Sequence, residues 1–209
     1  MFKYLSFLLC ACAFSWANAQ TLPNVLYAGY DHSIDLASAE NSKLKLTAAD
    51  FEVSLTNGKA THTKGLVYKL QVTQIGETNL VIKNKKNGKV IADAKLPVKR
   101  IPDPVVKLAG KTDGTMSTGE MRAQRNILVV LENFELDAKC EVRSFTLYHT
   151  SKGQEPVELK SESGRFAGAV LQAIKNAKVG DEYQFVDMRA SCPGDAAGRA
   201  LNALAFKIK

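Results

Sequence analysis

Between residues 24 and 100 the chain alternates apolar and polar positions in short runs. These lie at residues 25–30, 43–46, 51–55, 66–72, 78–83 and 90–100, separated by turn signals at Asn57-Gly58, Gly76 and Asn87-Gly88. Period-two alternation broken by glycine turns at this spacing predicts strands of a β-sandwich. About 80 residues of this pattern fit one immunoglobulin-like unit. Pro97 cannot donate to a ladder, so the last run is expected to end as an edge strand. The pattern then stops at Ile101-Pro102-Asp103-Pro104, where two prolines three residues apart forbid a continued ladder and push their predecessors out of helix.

Beyond this segment the periods mix. Ser117 followed three residues later by Glu120 fits a capping box and predicts a short helix through Gln124. Residues 127–131 form an apolar run. Residues 140–149 alternate as a long strand, with Val142, Ser144, Thr146 and Tyr148 on one face and Arg143, Phe145 and Leu147 on the other. Phe166, Val170, Ile174 and Ala177 recur at helical spacing, a stripe that reads as core packing. Val179, Gly180 and Asp181 turn into a strand at 182–190, and residues 204–209 close the chain as a strand. The second unit is therefore a β-sandwich carrying one or two short helices, and the chain as a whole is mostly β.

The first residues read differently. Lys3, the apolar stretch 4–16 and Ala17-Asn18-Ala19 form a secretory signal at 1–19, so that a mature chain of 190 residues starts at Gln20. The alternative is an outer-membrane lipoprotein, because Leu9-Cys10-Ala11-Cys12 loosely resembles a lipobox. The mature chain has no stretch able to cross a membrane as a helix. Export frames Cys140 and Cys192, the two cysteines that the signal does not carry away. An oxidising compartment permits a disulfide between them, and two buried free thiols are the other reading. Isolated thiols and scattered histidines (His32, His62, His149) give no metal-ligand spacing and imply no cofactor.

Charge changes the picture mainly in the first unit, 20–101, whose net is +5 against +1 for 102–209. Its densest piece is the hairpin tip carrying Lys83, Lys85, Lys86 and Lys89. This is a candidate interaction patch for an acidic partner or an anionic envelope surface. The alternative is a solvated tip whose lysines discourage edge pairing. No aromatic residues interleave with these lysines, which argues against nucleic acid. The chain has no Gly-x-Ser-x-Gly, Ser-x-x-Lys or His-Glu-x-x-His, and Gly110 to Gly114 lacks the spacing of a phosphate loop. Asp103, Asp181 and Asp187 fall in turns or strand ends. The chain is read as non-catalytic.

One ordered set of segments goes further. Residues 24–34 (NVLYAGYDHSI), 98–104 (VKRIPDP), Glu132-Asn133-Phe134 with 142–145 (VRSF), 163–166 (SGRF), Gly180-Asp181 and the closing strand span nearly all of 20–209. Together they resemble the carboxy-terminal two-domain half of the gliding-motility protein family GldM, also called PorM. That family is the periplasmic part of the type IX secretion motor in Bacteroidota. The resemblance implies two tandem immunoglobulin-like domains, an elongated homodimer, a periplasmic location and binding to the ring components GldN and GldK, with no catalytic residue. The chain departs from the family in showing a cleavable signal where the family has a cytoplasmic stub, a transmembrane helix and two further periplasmic domains. The turn at 192–198 also departs from the family's Pro-Asp-Gly arrangement. The expected organisation is a signal at 1–19, one β domain at 20–101 and a second at 102–209, with self-association through the nearly neutral second domain. An alternative is a secreted or envelope-associated adhesin or carbohydrate-binding sandwich. An exposed aromatic row would favour it, but Tyr27, Tyr30, Tyr68, Tyr148 and Tyr183 are scattered.

Overall fold

The computed structural model describes residues 22–37 and 45–209. The signal reading at 1–19 lies outside them, as does half of the strand expected at 43–46. Lys45 and Leu46, the described half, carry no strand.

The first seven strands make two facing sheets. Strands β1 (Leu26–Tyr27), β7 (Val90–Lys99), β6 (Gly76–Asn84) and β3 (Phe51–Leu55) pair in that order. Strands β2 (His32–Asp35), β5 (Val67–Gln71) and β4 (Lys59–Lys64) form the other sheet. Alternation along β6 sends Leu80 and Ile82 inward, and β5 sends Tyr68 and Leu70 to meet them. Tyr68 keeps its hydroxyl satisfied by donating to the Ala48 carbonyl at 2.7 Å.

Of the strand expected at 25–30 only Leu26–Tyr27 is strand, and the chain turns at 28–29 before β2. Gly29 takes φ +74°, a conformation open to glycine, and the chain leaves one sheet for the other there. His32 holds this corner by accepting the Tyr27 N–H at 2.7 Å. Strand β7 is also not a bare edge at its end, because β1 pairs with it in parallel at Val98 and Lys99. The Ala28 N–H donates to the Lys99 carbonyl at 2.9 Å. Pro97, two residues earlier, turns its nitrogen to the same flank, and the pairing with β1 starts only at Val98. A missing donor is tolerated at that point.

The second sandwich begins after Pro104. Strand β8 (Val105–Lys107) pairs with β10 (Leu128–Val130). The Asn202 side chain serves as a further partner of Val106, accepting its N–H at 2.9 Å and donating to its carbonyl at 3.2 Å. The larger sheet runs β12 (Val157–Ser161), β11 (Glu141–Thr150), β13 (Glu182–Ser191), β15 (Leu204–Ile208), β9 (Asp113–Met116). Strand β14 (Arg199–Ala200) adds to β13 off that path. Helix α1 (Thr118–Ala123) starts at the expected box: the Glu120 N–H donates to Ser117 Oγ at 3.1 Å, and the Ser117 N–H donates to Glu120 Oε2 at 2.7 Å. Helix α2 (Gly168–Lys175) buries Val170 and Ile174, and the flanking Phe166 and Ala177 complete the apolar stripe.

One alternation reads wrongly from sequence. Val142, Phe145 and Leu147 all enter the second core, although 142 and 145 differ by an odd number. The pairing of β11 with β13 shifts register between Val142 and Ser144 and again between Ser144 and Thr146. Such a bulge inserts a residue and exchanges the faces on either side of it. Within the described residues the buried apolar side chains thus separate into two cores, one drawn from Leu26 to Val98 and one from Val106 to Ile208.

Candidate functional site

The most specific constellation joins the two sandwiches. Arg199 on β14 has a side chain only 5% exposed, yet all of its nitrogens are bonded. Nε and Nη2 donate to the two oxygens of Asp195 at 2.8 and 2.6 Å, a bidentate fork. Nη1 reaches back to the carbonyls of Ile101 and Pro102 at 2.7 and 2.9 Å, and to Asp103 Oδ1 at 3.1 Å. The link at residues 101–104 is therefore clamped, with Ile101 fully buried. Asp195 is held on its other side by the Cys192 N–H at 2.8 Å. Burial pushes the Asp195 carboxyl up, but hydrogen bonds from Arg199 and Cys192 and the arginine charges outweigh it. Its pKa lies below the ordinary carboxylate value.

The loop 192–198 presses this clamp onto the first sandwich. A Cβ at Gly29 would overlap the backbone of Pro193 and Gly194, and one at Gly194 would overlap the Ala28 carbonyl. Both glycines have positive φ, +74° and +80°. The two backbones meet where no side chain fits. Beside this contact Tyr27 and Phe134 pack edge to face, with ring centroids 4.9 Å apart. Cys140 and Cys192 are joined in a disulfide with Cα atoms 4.2 Å apart, which ties the loop to the start of β11. Neither Arg199 nor Asp195 nor the glycine pair stands out in the sequence. Segments 24–34 and 98–104, both among those that carry the resemblance, meet the loop 192–199 at the joint.

The basic tip lies at the other end of β6 and β7. The Asn84 N–H donates to the Lys89 carbonyl at 2.8 Å, closing the loop, and Gly88 takes φ +69° as the Asn-Gly signal requires. Lys83, Lys85, Lys86 and Lys89 are all exposed. Lys86 is engaged by Asp50 at 3.2 Å, whose carboxyl is lowered mainly by accepting the Thr47 N–H. Val90 and Ile91 beside the tip are 48% and 40% exposed.

Other polar clusters are accounted for by packing. Asp181 is buried, accepts the Lys178 N–H at 2.9 Å and faces His149 Nε2 at 3.3 Å. Tyr183 stacks on His149 at 4.6 Å and donates to the Ala173 carbonyl. Burial, with the Asp181 charge added, pushes its hydroxyl pKa up. Of the scattered tyrosines, Tyr68 and Tyr183 are buried and Tyr27, Tyr30 and Tyr148 half-buried. Among the described residues no three His, Cys, Asp or Glu side chains gather as a metal group. No helix of the described residues is long and apolar enough to cross a membrane. An open groove of about 520 Å³ runs between β12 and the first turn of α2.

A mostly β chain of two sandwiches, with a clamped joint and helices in the second, defines a class of structural module. Residues 102–209 match the family model of the GldM C-terminal domain, and the chain belongs to that family. No curated protein matches the chain. Two solved structures are similar over most of it. One is an adhesin, InvE of Yersinia pseudotuberculosis, at 13% identity and TM-score 0.25, covering 88% of this chain and 56% of that one. The other is SGBP-B of the Bacteroides ovatus mixed-linkage glucan utilization locus, in complex with a mixed-linkage heptasaccharide. It stands at 10% identity and TM-score 0.24, covering 89% of this chain and 43% of that one. This chain thus spans about half the length of either, and superpositions this loose carry no argument.

Proposed function

We propose that the chain is a non-catalytic protein-interaction module of the cell envelope, corresponding to the periplasmic tip of a GldM-type secretion or gliding motor. The family membership of residues 102–209 carries this reading. In it the protein is exported to the periplasm, forms a homodimer, and binds ring components of the GldN and GldK kind. Residues 20–101 and 102–209 act as two domains, and the joint at Arg199 sets the angle at which the first is presented. The tip lysines Lys83, Lys85, Lys86 and Lys89 supply a patch for an acidic partner surface.

A module that transmits position between partners needs a fixed shape more than a reactive group. The Arg199 fork, the glycine–glycine contact and the Cys140–Cys192 disulfide all restrict motion at one place. Pull-down from envelope extract with mass spectrometry is the direct test. Recovery of GldN- or GldK-like proteins, reduced when the four tip lysines are changed to glutamate, is expected. Recovery of neither by the folded chain would overturn the partner assignment. Amino-terminal sequencing of the mature protein checks export: Gln20 is expected first, and a retained Met1 would contradict it.

A further inference from the structure

Strand β12 is an open edge. It pairs with β11 through five consecutive residues with no register shift, and among the described residues no strand lies on its other flank. It carries neither the proline nor the bulge that commonly blunt such edges. Beside it the groove floor is made of small residues at the start of α2, Ala167, Gly168 and Ala169, all exposed. A Cβ added at Gly168 would meet nothing within 4 Å. Leu159, half-buried, points inward against the second core, while Glu158 and Lys160 stand on the outer face.

The sequence of this edge is self-complementary. An antiparallel twofold centred on Leu159 sets Leu159 against its own copy. It sets Glu158 opposite Lys160 of the second copy, and Lys160 opposite that copy's Glu158. Directly opposed unlike charges stabilise an antiparallel pair, and like charges destabilise it. The second leucine falls over the small residues of α2, where the groove has room. Two other open edges, β4 and β3, lack this match. Strand β4 paired with itself end to end sets Lys59 against Lys64, and β3 about Val53 sets Glu52 against Ser54, both in the more basic half.

We propose that two copies of the chain associate edge to edge through β12, extending the larger sheet of the second sandwich across a twofold axis at Leu159. This deepens, and rests on, the reading of the chain as a self-associating module. Within each chain Glu158 already lies 3.2 Å from Lys160 and 3.3 Å from the Tyr148 hydroxyl, so the four charges of the dimer form one alternating group. A contact of five residues a side belongs to the small, transient class, so a dissociation constant of roughly micromolar or weaker is expected.

The test is a charge-reversal set measured by sedimentation equilibrium of the full mature chain at low salt. Circular dichroism melts serve as folding controls. Glu158→Lys places lysine against lysine twice, and Lys160→Glu places glutamate against glutamate twice. Each is expected to raise the dimer dissociation constant tenfold or more while leaving the melt unchanged. The equimolar mixture of the two variants restores opposite charges and is expected to dimerise again, as is the E158K/K160E double variant alone. Single variants that dimerise like the parent would place the twofold elsewhere and overturn the proposal. Weakened singles that fail to recover in the mixture would overturn it too. An unmodified chain that stays monomeric at the highest concentration would refute the parent reading of self-association, a different result from either.

Discussion

Replacing Arg199 by methionine keeps most of its aliphatic stem and removes five hydrogen bonds at once. The bond to Asp103 counts for little, because that carboxylate is 67% exposed and solvent already competes for it. The rest is buried. Asp195, whose side chain is 4% exposed, would lose its fork and keep only the Cys192 N–H. Removing one partner of a buried ion pair costs about 3–5 kcal/mol. Each of the two freed carbonyls adds about 1 kcal/mol, and these terms overlap. A loss of about 3–5 kcal/mol at pH 7, read from urea unfolding, is the expected outcome.

The pH dependence separates this cause from a simple packing defect. In the parent, the Asp195 pKa is depressed, so its contribution is present above the unfolded value of about 3.9 and fades as pH falls through the folded one. In Arg199→Met, burial, the largest influence on that carboxyl, is opposed only by the Cys192 N–H and the Arg100 charge, so its pKa is expected to rise and the variant to be relieved by acid. The gap between the two proteins should therefore narrow as pH falls toward about 4. The variant R199M/D195N, which removes both charges, should recover part of the loss. A loss under about 1 kcal/mol at pH 7, or one of constant size down to pH 4, would refute the claim that a buried ion pair clamps the joint.

Reduction of the Cys140–Cys192 disulfide, or its replacement by serines, should destabilise the second sandwich by up to about 4 kcal/mol, the chain-entropy value for a separation of 52 residues. An unchanged melt under reductant would contradict it. The Glu120 carboxylate, held down to about 2 chiefly by the Ser117 N–H and then by Lys111, should titrate there by side-chain NMR. A midpoint near the ordinary value of about 4.3 would show that the cap is not formed. Burial lowers the His32 pKa, and the bond from the Tyr27 N–H needs an unprotonated nitrogen. Stability is therefore expected to fall as pH drops below about 6.5, the unfolded value. His32→Phe should flatten that dependence between pH 7 and pH 5, and a slope identical to the parent's would assign it elsewhere.

What could be read from sequence was whatever depends on neighbours along the chain. The Ser117 to Glu120 spacing is a local hydrogen-bond pattern, and the stripe from Phe166 to Ala177 is a local period; both appear in the structure as expected. Strand β4, with the sequence KATHTK, escaped notice because Ala60 is its one apolar residue and it carries no apolar alternation. Strand β2 lies beyond the run expected at 25–30 and was not foreseen, since nothing in the sequence announces the change of sheet after Gly29. The faces of β11 were misassigned at Val142 because a bulge is set by the partner strand. The joint was hidden for the same reason. Arg199 lies 97 and 98 positions from the carbonyls it holds, and Gly29 meets Gly194 only in three dimensions. The proline pair at Pro102 and Pro104 marked where the joint falls but not that it is clamped.

The central claim, that this chain is an interaction module for the ring components of a GldM-type machine, is tested most directly by mixing purified components. The mature chain, confirmed folded by its melt, would be combined with purified GldN- and GldK-like proteins of the same cell and followed by sedimentation velocity. A faster-moving complex containing both chain and ring component is expected, weakened when Lys83, Lys85, Lys86 and Lys89 are changed to glutamate. Independent sedimentation of every component at high protein concentration would contradict the account.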